Sequence, residues 1–446
     1  TVKPGLLEVK KVYQYIGFKV IDLKAGKIAI TNKYAFLNLD MFDFEWKIQG
    51  DGKVVDSGKL KNLNLNPGES KTVGIKYKIK AKPGVKYFLT VNARLKSDWS
   101  LVAKGTQLAA EQFKLPVFKS MAKVDPKTFD KVELNDTEAA ATVNGKGFSV
   151  VFDKKKGVIS SFKNGDREML LSGPIPNFWR APIDNDYGNK LDIRSRVWRK
   201  AGENRKVSKV ETEKVNDREV LVKFDFELLD EKDEKIANYS SKYTVYGSGD
   251  VVVDNHFKMT GKDLPEIVRM GMNLVMPRNF DQMTWLGRGP QESYCDRKTS
   301  AFVGLYSGSV AEQYWAYIRP QENGNKTDVR WMSITDKAGN GLLFCGMPLL
   351  ETSAHHNLME DFESQGKTAE VKDGKAPVNR HTCDVKPRDL TSVNVDYKQM
   401  GVGGDNSWGA WTHTKYRLTG KEYRYSFRMH AVSANDDVKK LAKMKF

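Results

Sequence analysis

Residues 42–50 read FDFEWKIQG, and the periodicity of this stretch decides the fold. Phe42, Phe44, Trp46 and Ile48 alternate without exception with Asp43, Glu45, Lys47 and Gln49. A period of two belongs to a strand with one wet and one buried face, because successive side chains leave an extended backbone on opposite sides. Gly50-Asp51-Gly52 follows. Glycine accepts the positive φ of tight hairpin turns, so a partner strand is expected directly after it.

The pattern recurs in both directions. Val73, Ile75, Tyr77 and Ile79 alternate with lysines, Lys82-Pro83-Gly84 marks a turn, and Tyr87, Leu89, Val91, Ala93 and Leu95 form another one-sided strand. Residues 6–12 also carry strand character. Short strands at this spacing predict an immunoglobulin-like β-sandwich over residues 1–119. Residues 120–135, around Asp125-Pro126 and poor in aliphatics, read as a linker. Beyond it, Phe148, Val150 and Phe152, then Val222, Phe224, Phe226 and Leu228, then Tyr243 and Val245 continue the alternation. Helical signals gather only in residues 433–446, with Ser433 or Asn435 as N-cap, Asp436 and Asp437 in the first turn and lysines behind them. The expected class is all-β: the immunoglobulin-like sandwich, then a large antiparallel β-sandwich over 136–446.

Composition bounds the function. A chain of 446 residues, 40% hydrophobic and 29% charged, has ordinary globular composition. The net charge of +17 raises the question of nucleic acid. Lysines such as Lys76, Lys78 and Lys80 are strung along strand faces and not clustered, so they read as solvation of exposed sheet, and no nucleic-acid partner is expected. No stretch approaches the ~18 consecutive apolar residues that cross a bilayer, so no membrane partner is expected either. The chain starts without Met and without the apolar core of a secretion signal, which reads as a cut inside a longer protein and leaves periplasm and cytoplasm both open. Cys295, Cys345 and Cys383 are too few and too scattered for a disulfide framework or a metal knuckle, and read as buried thiols.

Two blocks concentrate the chemistry: residues 177–188, NFWRAPIDNDYG, and residues 285–328, which open WLGRGPQESYCDRKTSAF. Both are dense in aromatic rings, arginines and turn residues, the equipment of a surface that handles sugars. Retaining glycoside cleavage needs two carboxyl groups about 5–5.5 Å apart. Glu292, Glu322, Asp184 and Asp186 are at hand, but each reads as an ion-pair or turn partner of Arg180, Arg288, Arg297 or Arg319, and no catalytic residue is assigned. The histidines form no HExxH, and Asp184-Asn185-Asp186 reads as a loop braced by Asx turns, so no metal ligand is assigned. Gly287-Arg288-Gly289 and residues 401–404 are tight turns and not phosphate cradles. The run 401–407, GVGGDNS, is too glycine-rich and polar for a strand interior, and it delivers Trp408. An indole on a loop packs either on the C–H face of a sugar or back into the protein. Trp411 is expected to point into the sandwich, and Trp179 to anchor the core.

At these residues the chain resembles a known family. NFWRAPIDNDYG (177–188), WLGRGPQESYCDRKTSAFVGLYSG (285–308), YIRPQENGNKTDVRW (317–331) and MGVGGDNSWGAW (400–411) closely resemble the C-terminal β-sandwich of the β-galactosidases of glycoside hydrolase family two. PGLLEVKKVYQ (4–14) is similar to the segment following their catalytic barrel, and residues 15–119 to their fourth, immunoglobulin-like domain. The resemblance implies a galactose-mutarotase-like supersandwich for the larger region. It implies a parent that hydrolyses terminal β-galactosides with retention. The catalytic glutamates, and the magnesium and sodium sites, would lie in earlier domains, so this chain alone is expected to be silent and to hold no cofactor. In the family, the matching loop contributes a tryptophan that stacks on the aglycone, which implies Trp408 as the substrate-binding residue here. The implied partners are a β-galactoside sugar, the enzyme's own N-terminal domains and barrel, and possible further copies in a homo-oligomer. The alternative is a stand-alone sugar-binding module without enzymatic activity.

Overall fold

The strand Phe42–Gly50 buries its residues in the alternation its sequence predicts, with Phe42, Phe44, Trp46 and Ile48 inside. It is seen in a computed structural model that describes residues 2–364, 379–406 and 408–446. Asp51 and Gly52, both at positive φ, turn the chain into Lys53–Lys59. The four-stranded sheet runs in the order Lys53–Lys59, Phe42–Gly50, Tyr87–Leu95, Gln107–Lys114. A three-stranded sheet of Ile16–Asp22, Lys27–Asn32 and Ser70–Gly74 supplies Ile28 and Ile30 to the same core.

Two expectations fail in this region. Residues 6–12 are helical: Pro4–Val12 is an α-helix with proline in its first turn and Lys10 and Lys11 in its last. Leu6, Val9 and Tyr13 are spaced by three and four, a helical period that the short apolar run conceals, and the two lysines suit the negative helix terminus. The strand expected through Ile79 ends at Gly74. Ile75 is still buried, and the Tyr77 hydroxyl donates to the Leu23 carbonyl, so the alternating apolar residues are used as anchors and not as ladder.

The chain divides into two units. The first comprises Thr1–Lys123, Lys298–Tyr306 and Lys443–Phe446, and the second Val124–Arg297 and Ser307–Ala442. Inside the second, nine antiparallel strands follow in the order Ser172–Asn177, Arg269–Met276, Thr391–Gln399, Gly341–His355, Glu422–Val432, Asp250–Met259, Lys235–Tyr246, Glu219–Leu229, Lys206–Asn216. A five-stranded sheet that includes Phe148–Asp153 packs on it. The Phe152 ring lies 5.2 Å from that of Tyr243 and 6.4 Å from that of Phe224, so the aromatic residues of alternating strands meet in one core. The class is all-β, a sandwich unit followed by a larger antiparallel unit, as expected.

The C-terminal helix is shorter than its sequence suggested. The strand Glu422–Val432 uses the chain up to residue 432, and Ser433 donates its N–H to Asp436 in a turn, leaving only Val438–Leu441 helical with Asp437 as N-cap. Only one of the three cysteines is a buried thiol: Cys345 is inside, Cys295 half-buried and Cys383 exposed. Cys383 sits in a short 3-10 turn beyond the core strands, where alternation gives no guide. Among the described residues no helix is long and apolar enough to cross a membrane.

Candidate functional site

The block 177–188 begins where the strand Ser172–Asn177 ends. The Asn177 side chain accepts from the Trp179 N–H at 3.1 Å and bends the chain inward. Phe178 and Trp179 are then buried, with the Phe178 ring 5.1 Å from Phe257 and 5.8 Å from Tyr239. Trp179 is thus the core anchor expected. Anchored on both sides, Arg180 is carried into the interior with no exposed surface.

Arg180 organises the region. Its Nε and Nη2 donate to the two carboxylate oxygens of Asp186 at 3.1 and 3.0 Å, and its remaining donors reach the carbonyls of Met400 at 2.5 Å and Gly401 at 3.0 Å. Burial alone would lower the guanidinium pKa, but Asp186, together with Glu322 and Tyr294, offsets it and leaves the pKa above its ordinary value. The planar fork of arginine suits an arrangement in which four hydrogen bonds meet on one side chain. Asp186 also accepts the Ile183 N–H at 3.1 Å, capping the short helix Asp184–Gly188.

The loop 401–411 is braced from several directions. Asp296 accepts the N–H groups of Val402 at 3.0 Å and Gly403 at 2.7 Å. A Cβ on Gly401 would stand 2.4 Å from the Asp296 carboxylate, so that position requires glycine. Thr412 Oγ1 donates to Gly403 at 2.9 Å, and Asn185 Nδ2 to the Val402 carbonyl at 3.2 Å. Asn406 Oδ1 accepts the N–H groups of Trp408 at 2.9 Å and Ala410 at 3.2 Å. The loop's backbone is therefore held on both sides of the tryptophan, and Trp408 itself is 89% exposed.

Trp411 departs from expectation. It is 46% exposed, and its ring centroid lies 3.8 Å from the guanidinium of Arg194 and 4.7 Å from that of Arg417. Arg417 is itself held by Glu266 at 2.6 Å. Two cations on an indole face replace the apolar surroundings expected for it. The short helix Leu191–Arg194 positions one of those cations.

The acids of the two blocks are paired. Asp184 faces Arg319 at 3.5 Å, Glu292 pairs with Arg297 and the Tyr317 hydroxyl, and Glu322 pairs with Arg269 at 3.0 Å, a partner outside the four arginines expected. Arg288 is taken by Asp328. Among the described residues no group of three or more His, Cys, Asp or Glu could hold a metal ion. The arrangement thus offers an exposed indole on a braced loop, suited to stacking. Sequence reasoning missed Asp296, Thr412, Arg194 and Arg417. Asp296 stands more than a hundred residues from the loop it supports, and no local pattern marks such a partner.

Comparison with known proteins bears on these same blocks. The family model described as beta galactosidase small chain matches residues 144–429, and that of beta-galactosidase, domain 4, matches residues 28–116. A beta-galactosidase of Priestia megaterium is 36% identical over 432 residues, which is 96% of this chain and 40% of that protein. One of Pseudoalteromonas haloplanktis is 28% identical over 451 residues, 96% of this chain and 41% of that protein. The chain therefore spans about 40% of the length of the curated relatives it matches. Among solved structures, galactose 1-epimerase from Lactobacillus acidophilus covers 69% of this chain and is itself 98% covered, at 9% identity and a TM-score of 0.30, too slight a likeness to carry an argument. With the small-chain model matching residues 144–429, more than half of the chain, the chain belongs to the beta galactosidase small chain family.

Proposed function

We propose that this chain is the non-catalytic C-terminal portion of a retaining β-galactosidase and that it shapes the substrate pocket with Trp408. The observation that carries the reading is the contrast at one loop: a backbone tied to Asp296, Asn185, Thr412 and Asn406, and an indole left 89% exposed. Exposing so large an apolar ring on a rigid support costs solvation and suits a flat partner, such as the C–H face of a sugar. Relatives named beta-galactosidase match along nearly the whole chain, which supports the same class for the longer protein. On this reading the nucleophile and the acid/base, with magnesium and sodium, reside on the remaining domains, which are also the chain's principal partners.

The test is made in the whole protein. Trp408→Ala is expected to weaken aglycone binding, lowering transfer to added sugar acceptors about tenfold while cleavage of an activated aryl β-galactoside falls less. Unchanged acceptor kinetics would remove Trp408 from the pocket. The 446-residue chain by itself is expected to release no chromophore from an aryl β-galactoside above a buffer blank. Turnover that survives repurification would place catalysis within this chain.

A further inference from the structure

The edge of the large sheet carries a cleft that the Trp408 loop does not use. On strands Arg269–Met276, Gly341–His355 and Thr391–Gln399, one face is apolar and buried, with Met272, Leu274, Val393, Val395 and Ala354 inside. The opposite face is polar in register. Asn273 pairs across to Asn394, which pairs to Ser353, while Ser392 pairs to His355 in the next row. Asparagine is disfavoured in strands, so two on facing positions of neighbouring strands need a reason. These side chains line a cavity of about 220 Å³.

The floor is a prearranged hydrogen-bonding surface. Asn273 Nδ2 donates to Asn394 Oδ1 and to Ser392 Oγ, both at 3.0 Å, and Asn394 Nδ2 donates to Ser353 Oγ at 3.0 Å. These bonds fix the orientation of the amides and leave the Asn273 carbonyl oxygen and the Ser353 hydroxyl hydrogen without an intramolecular use among the described residues. His355, 6% exposed, gives Nε2 to the Asn323 carbonyl at 3.0 Å, while its Nδ1 has no partner among the described residues. Pro176, Met359 and Phe362 supply apolar walls.

The charges that line the cleft are all matched. Arg199 is held by Glu363 at 2.5 Å, Arg269 by Glu322 at 3.0 Å, and Glu203 by Lys200 at 2.8 Å, with Glu360 4.0 Å from the same lysine. An anion or cation would enter without a free counter-charge, whereas hydroxyl groups would find amides and hydroxyls already aimed. The volume lies below the roughly 300–1,000 Å³ of pockets for drug-sized ligands, which restricts the occupant to about one ring.

We propose that this cleft binds one neutral polyhydroxylated ring of monosaccharide size, at a site that shares no residue with the loop 401–411. Amides on the floor meet the hydroxyls, and Met359, Phe362 and Pro176 cover the C–H face.

The experiment uses the whole 446-residue chain carrying 13C-methyl methionine, titrated with D-galactose, with Met359 as reporter and its signal assigned by Met359→Leu. A saturable shift of the Met359 methyl is expected in the native chain and in Trp408→Ala. Asn273→Ala and Ser353→Ala are each expected to weaken binding about tenfold, the scale of one lost hydrogen bond. Methyl signals of Met270, Met272 and Met276 report whether each variant keeps its sheet, so a misfolded Asn273→Ala leaves Ser353→Ala to decide. No shift at Met359, a shift lost in Trp408→Ala, equal affinity in folded variants, or a stronger response to inorganic sulfate than to galactose would each overturn the proposal.

Discussion

Arg180 and Asp186, six residues apart, close a two-bond pair at 3.1 and 3.0 Å, with the arginine wholly buried and the aspartate almost so. The same guanidinium spans 220 residues of sequence to the Met400 carbonyl. One side chain thereby ties the helix Asp184–Gly188 to the base of the tryptophan loop.

Removing that arginine leaves a buried carboxylate uncompensated and two carbonyls without their donor. Arg180→Leu is expected to destabilise the second unit by about 3–5 kcal/mol, read as a fall in urea midpoint. Lysine lacks the planar fork, so Arg180→Lys should recover only a minor part. A midpoint within experimental scatter of the native chain would show that the pair contributes nothing net.

The two tryptophans of the loop should separate cleanly. Trp408 is exposed and its backbone is held by other groups, so Trp408→Ala should change unfolding free energy by no more than ~0.5 kcal/mol. Trp411 stacks against Arg194 and Arg417, and Trp411→Ala should cost about 1–2 kcal/mol. Thermal melts of both variants decide, and a larger loss for Trp408 would contradict its solvent-facing placement.

Asp296 is the acceptor for two loop amides. Asp296→Ala should destabilise by ~1–3 kcal/mol and speed hydrogen exchange at Val402 and Gly403 ahead of the flanking strands. Uniform exchange across strand and loop would argue that the carboxylate does not hold this segment.

His355 supplies a pH signature. Burial lowers its pKa from 6.5 to about 4. A depressed folded value means that the contribution to stability is complete above pH 6.5 and is lost as pH falls through 4, because the unfolded chain takes up the proton first. The loss by pH 4 is about 3 kcal/mol. Urea midpoints between pH 7 and 4 should therefore slope more steeply for the native chain than for His355→Gln, and parallel slopes would rule the histidine out as the source.

The strands Phe42–Gly50 and Glu219–Leu229 were legible residue by residue, because a strand's two faces are written directly into alternate positions, whereas Tyr87–Leu95 also buries Phe88 and Thr90 on the face its alternation would leave wet. The helix Pro4–Val12 was not, since its apolar spacing over so few residues fits either period until neighbours choose. Trp408 could be singled out because a loop composition surrounds it, whereas Trp411 could not be placed, since the arginines on its ring come from residues 194 and 417.

By itself, then, the order of residues determined the all-β class, the strand faces and the blocks that mark the family, all of which depend on near neighbours in the chain. Tertiary structure alone decided that Asp296 carries the loop, that Arg180 joins it to residues 184–188, and that Asn273, Asn394 and Ser353 share one floor. Those relationships depend on which strands pair, and a hydrogen bond between residues 41 to 221 positions apart leaves no periodic trace in either segment.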